Sequence, residues 1–200
     1  MNRNRWPVAV LAAVVALGFG CATFKSKEIP VVEGLKAPAA AVKKTVSYTF
    51  TAGFDYFGKK EEHEQERRLL DDRFLAVLEE SGYFTVSRDR KEKADLVMEL
   101  RMERTESLSN TCGCMWTFLS AMTFTVVPSW TRMSYDLAAR VREGNGKVRE
   151  YRVKDSAVQV IWLPMALAAP FRWPKKVTAE VHRNIYLTLV GRMKADGLLE

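Results

Sequence analysis

Two hundred residues, 48% hydrophobic and 28% charged, suit one globular domain behind a leader and exclude a protein that crosses a membrane many times. The formal net charge of +7 is modest, and part of it, Arg3 and Arg5, belongs to that leader. No nucleic-acid-binding motif accompanies the surplus, so it reads as a solubility balance or as contact with anionic headgroups and lipopolysaccharide phosphates.

The chain opens with Arg3 and Arg5 and runs without a charge from Trp6 to Gly20, the basic and apolar regions of a secretory signal peptide over residues 1–20. Such a run is short for a membrane span. Its end, Leu17-Gly18-Phe19-Gly20-Cys21, resembles a bacterial lipobox, with a small residue directly before the cysteine; Gly18 and Phe19 depart from the usual pattern. The resemblance implies that Cys21 is diacylated by fatty acids such as palmitate, becomes the first residue of the mature chain, and is acylated again on its amine. Each buried methylene contributes about 0.8 kcal/mol, so several chains on one cysteine hold firmly where one holds marginally. Ala22, in place of the aspartate that retains enteric lipoproteins in the inner membrane, implies the outer membrane, facing the periplasm.

Residues 21–44 mix Lys, Pro30, Gly34, Pro38 and an alanine run without periodicity, and read as a lipidated N-terminus on a flexible tether. A single domain is expected over 45–200. Its first element alternates, with Val46, Tyr48, Phe50 and Ala52 on one face of a strand and Thr45, Ser47, Thr49 and Thr51 on the other. A helix follows, with Leu70, Phe74, Val77 and Leu78 on one stripe and Gly82 as its stop. "YFTVSR" and "ADLVMELRMER" are further strands, the second with Leu96, Met98, Leu100 and Met102 on its apolar face.

Gly144-Asn145-Gly146 between two alternating runs predicts a three-residue hairpin loop. That register sets Glu143 opposite Lys147, Arg140 opposite Glu150, Asp136 opposite Lys154 and Leu137 opposite Val153, whereas a two-residue turn would oppose Arg142 and Arg149. Val177, Val181, Ile185 and Leu189 at four-residue spacing predict a C-terminal helix ending near Gly197. The expected fold is α+β, an antiparallel sheet of about five strands with two helices packed on one face.

Two stretches lack charge altogether, one between Glu106 and Arg132 and one between Asp155 and Arg172. They concentrate Trp116, Phe118, Phe124, Trp130, Trp162, Phe171 and Trp173 at the end of the hairpin opposite its loop. Three readings are open: core beneath the sheet, a surface for a protein partner or for self-association, and interfacial contact with a bilayer. Cys112-Gly113-Cys114 is the one cysteine pair, open to a structural or mixed disulfide, to unpaired thiols, or to metal ligation. His63 and His182 fall at polar helical positions and read as solvated helix residues. No local Ser, His and acid spacing, phosphate-binding loop, zinc motif or paired CxxC is present, so no cofactor or metal is expected, and no catalytic residue.

The lipobox-like Cys21, the helix ending "LAVLEESGYFTV", the following "ADLVMEL" and the hairpin from "VPSWTRMSYDLAARV" to "YRVKDS" together resemble small α+β lipoproteins of the bacterial envelope. Among these are uncharacterised outer-membrane lipoproteins and, more distantly, the lipopolysaccharide-assembly lipoprotein and the auxiliary lipoproteins of lipid-transporting ABC systems. The resemblance implies a non-enzymatic accessory or binding component in envelope assembly or lipid transport, held at the membrane by lipid, with an envelope protein partner or self-association. Alternatives of other classes are a membrane-inserting oligomer of a pore or secretion complex, and a carrier of a lipid or acyl ligand.

Overall fold

The computed structural model describes residues 21–32, 35–38, 42–56, 59–61, 63–87, 94–108, 113–123, 127–162, 164 and 172–199. The leader, Cys112, Phe124 and Phe171 lie outside them, as do the side chains of Cys114 and Trp116, so the disulfide expectation falls there too.

The fold is α+β, as the alternating and four-spaced patterns predict. Its strands are β1 (Cys21–Lys25), β2 (Lys44–Tyr56), β3 (Lys59–Glu61), β4 (Phe84–Val86), β5 (Leu96–Leu108), β6 (Ser129–Glu143) and β7 (Val148–Ile161); its helices are α1 (Glu64–Ser81), α2 (Gly113–Met122) and α3 (Pro174–Ala195). Among the described residues the order across the sheet is β1-β7-β6-β5-β2-β3, with β4 also paired to β2, so seven strands occupy six positions. The expectation of about five antiparallel strands and two helices is corrected in three respects. β1 and β3 extend the sheet, α2 is a third helix among the described residues, and β4 runs parallel to β2, with Lys44 beside Phe84 and Val46 beside Val86. The parallel pair follows from connectivity, because α1 lies between β2 and β4 and a helical crossover returns the chain in the same direction.

The hairpin has the register read from its charges. Glu143 N donates to Lys147 O at 2.9 Å, Lys154 Nζ lies 2.9 Å from Asp136 Oδ2, and Arg140 pairs with Glu150 at 3.9 Å. Met133, Tyr135, Leu137, Ala139 and Val141 of β6 point into the core with Tyr151, Val153 and Ala157 of β7. The helices cover that face. Phe74 of α1 meets the rings of Tyr48 and Phe50 of β2 at 5.3 and 6.1 Å and that of Tyr186 of α3 at 5.2 Å. Each fully buried side chain of this size contributes about 1.5–3 kcal/mol. Both helices stop as predicted, at Gly82 and at Gly197; after α3, Gly197 N reaches Lys194 O and Leu198 N reaches Met193 O, with Leu198 buried.

Contacts along the chain divide it into two compact units. The first holds the described residues of 1–26, 106–133 and 157–178; the second holds those of 27–105, 134–156 and 179–200. The segment expected as a tether is bound at many points. In the first unit β1 pairs antiparallel with β7 from Cys21 opposite Ile161 to Lys25 opposite Ala157, and Ala22 and Thr23 are fully buried. In the second, Ser156 Oγ donates to Glu28 Oε1 at 2.5 Å, Asn184 Oδ1 accepts from Val32 N at 3.0 Å, and Ala37 N donates to Ser81 O at 2.8 Å.

Candidate functional site

Cys21 is the first residue of β1, and its Sγ accepts a hydrogen bond from Gln159 Nε2 at 2.8 Å. Burial pushes the thiol pKa up and the Gln159 bond offsets part of that, which disfavours a reactive thiolate. On the outer edge of the strand, Thr23 N donates to Arg172 O at 3.0 Å, and the Arg172 guanidinium stands 5.9 Å over the Phe24 ring.

Elsewhere in the first unit several large apolar side chains are exposed. Along α2 the small polar Ser120 is 2% exposed, while Phe118 and Met122 are 67% and 65% exposed and Leu119 is exposed beside them. Over residues 118–122, whose side chains are described, this is the reverse of an ordinary surface helix, which turns its apolar stripe to the core. Thr123 ends this helix, its Oγ1 donating to Leu119 O at 2.8 Å and accepting from Val127 N at 3.3 Å. On β6 the alternation places Trp130 and Arg132 on the outward side, both exposed. The hairpin register, continued, sets Trp130 opposite Val160 and Arg132 opposite Val158, and those two residues of β7 neighbour Ala22 and Phe24 of β1. Trp173, just before α3, is 55% exposed. Trp162 is half-buried and makes contacts of its own.

Charge is distributed as unevenly as aromatic surface. From Cys21 onward the first unit's spans contain Lys25, Arg132, Arg172, Lys175 and Lys176 against the single acid Glu106. All the other acids lie in the second unit's spans, where acids and bases nearly balance. All four tryptophans beyond residue 20 fall in the first unit's spans. Lys175 and Lys176 occupy the first turn of α3, which carries no acidic residue. Cations there oppose the helix dipole, an unfavourable placement of about 0.3–1 kcal/mol each that nothing in the folding of the helix requires.

The second unit offers an open groove of about 840 Å³ on the helix-free side of the sheet, lined by Thr49, Thr51, Arg101, Asp136, Glu150 and Arg152 among others. Most of its charges are engaged with one another. Arg152 reaches Asp136 at 2.6 Å and, with Lys154, holds that carboxyl below the usual carboxylate range; Arg101 pairs with Glu103 at 2.8 Å. Such a lining suits neither an acyl chain nor proton transfer.

Both histidines depart from the solvated reading. His63 is the residue before α1, its ring 5.7 Å from that of Phe54 and 5.4 Å from that of Tyr56. His182 is 3% exposed, set edge-on to Tyr135 at 4.6 Å, and burial with the nearby Arg73 and Arg104 pushes its pKa down to about 3. Among the described residues no group of three His, Cys, Asp or Glu side chains is placed to hold a metal ion. Among them, too, no helix is long and apolar enough to cross a membrane.

Of the aromatic residues singled out in the sequence, Phe118, Trp130 and Trp173 are brought to the surface of the first unit. Sequence reasoning missed Phe24, Leu119 and Met122, and the pairing of Lys175 with Lys176 at a helix start was there to be noticed.

No family model matches the chain, and no curated protein matches it in sequence. Solved structures similar to it include a minor lipoprotein from Acinetobacter baumannii, at 9% identity and a TM-score of 0.44 over 78% of this chain and 94% of that one. A hypothetical protein, CT253, from Chlamydia trachomatis is similar at 11% identity and a TM-score of 0.41, over 76% of this chain and 96% of that one. A PelC dodecamer from Paraburkholderia phytofirmans follows at 9% identity and a TM-score of 0.30, over 80% of this chain and 97% of that one.

Proposed function

We propose that this chain is a lipoprotein of the bacterial envelope, acylated at Cys21 after removal of residues 1–20, with a non-enzymatic binding or accessory role in envelope assembly or lipid transport. The outer membrane, facing the periplasm, is the proposed address. One observation carries the reading: the cysteine that closes the lipobox-like Leu17 to Cys21 run is itself the first residue of β1. Acyl chains on it are joined to the sheet without slack, since Ala22 and Thr23 are already buried in the strand. A groove in which Asp136, Arg152, Arg101 and Glu103 are engaged in ion pairs supports binding rather than bond-making as the role.

The test is metabolic labelling of the chain in a bacterial host with an alkyne-bearing fatty acid, followed by mass spectrometry of the N-terminal peptide. The expected result is a peptide beginning at Cys21 and carrying three acyl chains, with label absent from Cys21→Ser. Material from the same host with an unmodified Cys21 would sink the proposal.

A further inference from the structure

We propose that the first unit is itself a membrane-binding surface, seated in the interfacial layer of an anionic bilayer through α2 and the exposed tryptophans of the same unit. This goes beyond the lipid anchor and stands without it.

Three independent features converge on that occupant. The first is the described part of α2, residues 118–122: Phe118, Leu119 and Met122 face out while Ser120 is buried, an arrangement that loses hydrophobic stabilisation in water and recovers it when the outer face enters an apolar layer. At 10 residues α2 is too short to span, so it lies in the interface. The second is the placement of tryptophan. Trp130 and Trp173 are exposed in the same unit, and tryptophan, apolar in body with one polar N–H, is enriched at the boundary between headgroups and acyl chains.

The third feature is charge. Lys25, Arg132, Arg172, Lys175 and Lys176 against Glu106 make this unit complementary to acidic headgroups, while the other unit is close to neutral. Lys175 and Lys176 are held exposed in the first turn of α3 against the helix dipole, a placement explained by a partner of negative charge. A purely apolar partner, such as a second copy docking by α2, does not account for Lys175 and Lys176 at the helix start, and a unit with this net positive charge would repel its own image.

The experiment uses the full chain, with and without Cys21→Ser, and vesicles of phosphatidylcholine with or without phosphatidylglycerol. Binding is followed by flotation, and depth by quenching of tryptophan fluorescence with lipids brominated on their acyl chains. The expected result is binding that survives Cys21→Ser, increases with phosphatidylglycerol and weakens at high salt. Lys175→Glu and Lys176→Glu each lower affinity for the anionic vesicles roughly fivefold. Phe118→Glu combined with Met122→Glu lowers it about tenfold or more and diminishes quenching.

Trp130→Phe and Trp173→Phe, by removing part of the quenched signal, place those rings in the bilayer. Because acids suit the first turn of a helix, the two lysine variants retain their fold, and they decide the matter should the α2 variant fail to fold. Binding unchanged in the lysine variants or in a folded α2 variant overturns the proposal, as does binding wholly lost in Cys21→Ser. Vesicle-free association of chains, cross-linked through residue 118, also overturns it in favour of self-association. An unacylated Cys21 together with intact, charge-dependent vesicle binding sinks the lipoprotein reading and upholds this one.

Discussion

Arg73 Nη1 lies 2.8 Å from His182 Nδ1, and since a guanidinium has only donors, the histidine accepts. The ring is therefore neutral with its proton on Nε2, an atom buried without a hydrogen-bond partner. An imidazolium in this position would face Arg73, with Arg104 also near, while Tyr135 and Tyr186 wall it from water.

The pH dependence follows from the sign of that shift. In the unfolded chain His182 titrates near 6.5, whereas in the fold its pKa is lowered to about 3. The unfolded state thus binds the extra proton over that window. The stability associated with neutral His182 is fully present above about pH 6.5 and is lost progressively as the pH falls toward 3. Urea denaturation between pH 7.5 and 4, both set as roughly the range over which unfolded histidine changes charge, should show midpoints falling with acidity. His182→Gln, which cannot charge, should have a flatter profile, even where its stability at neutral pH is lower. Parallel profiles for the two proteins would refute the assignment.

The hairpin loop gives a sharper test, because its two glycines differ in conformation. Gly146 has φ 87, in the region that costs an L-residue about 1–2 kcal/mol. Gly144 has no such requirement, and a Cβ on it would make only an ordinary contact with Asp95 O at 3.7 Å. Gly146→Ala should lower stability by about 1 kcal/mol, while Gly144→Ala stays within about 0.5 kcal/mol of the parent. Equal costs at the two positions, measured by urea midpoints at constant slope, would contradict this geometry.

That loop also marks how far the sequence could be read. Opposed charges at Asp136 and Lys154, and at Arg140 and Glu150, declare a register because cross-strand partners are local to one hairpin. The amphipathic spacings of Val177, Val181, Ile185 and Leu189 and of Leu70, Phe74, Val77 and Leu78 declare helices for the same reason. What escaped is burial set by distant partners. Cys21 to Lys25 is five residues long and becomes a strand only against β7, more than a hundred positions later. His182 looks like a polar helix residue until Tyr135 and Arg73 close around it. α2 hides in an uncharged stretch that has no polar face to give it a period. Of the candidate surface, the aromatic content was visible beforehand, but its outward orientation was not.

β1 supplies the last test, since the lipoprotein proposal joins an anchor directly to this strand. Ala22 is fully buried, and Ala22→Asp would place a carboxylate where desolvation costs several kcal/mol, more than a five-residue edge strand is expected to hold. The strand should therefore detach from β7 rather than keep the charge inside. Glu28, Val32 and Ala37 have their own bonds to Ser156, Asn184 and Ser81, so the urea midpoint should move less than the local protection does. Limited proteolysis should cut near Lys25 and Lys27 about tenfold faster in Ala22→Asp than in the parent, while Phe24→Ala, at an exposed position of the same strand, should be cut only slightly faster. Unchanged cutting at Lys25 would mean that Cys21 to Lys25 are not paired in solution, and the acyl anchor proposed at Cys21 would then hold the domain on a slack leash.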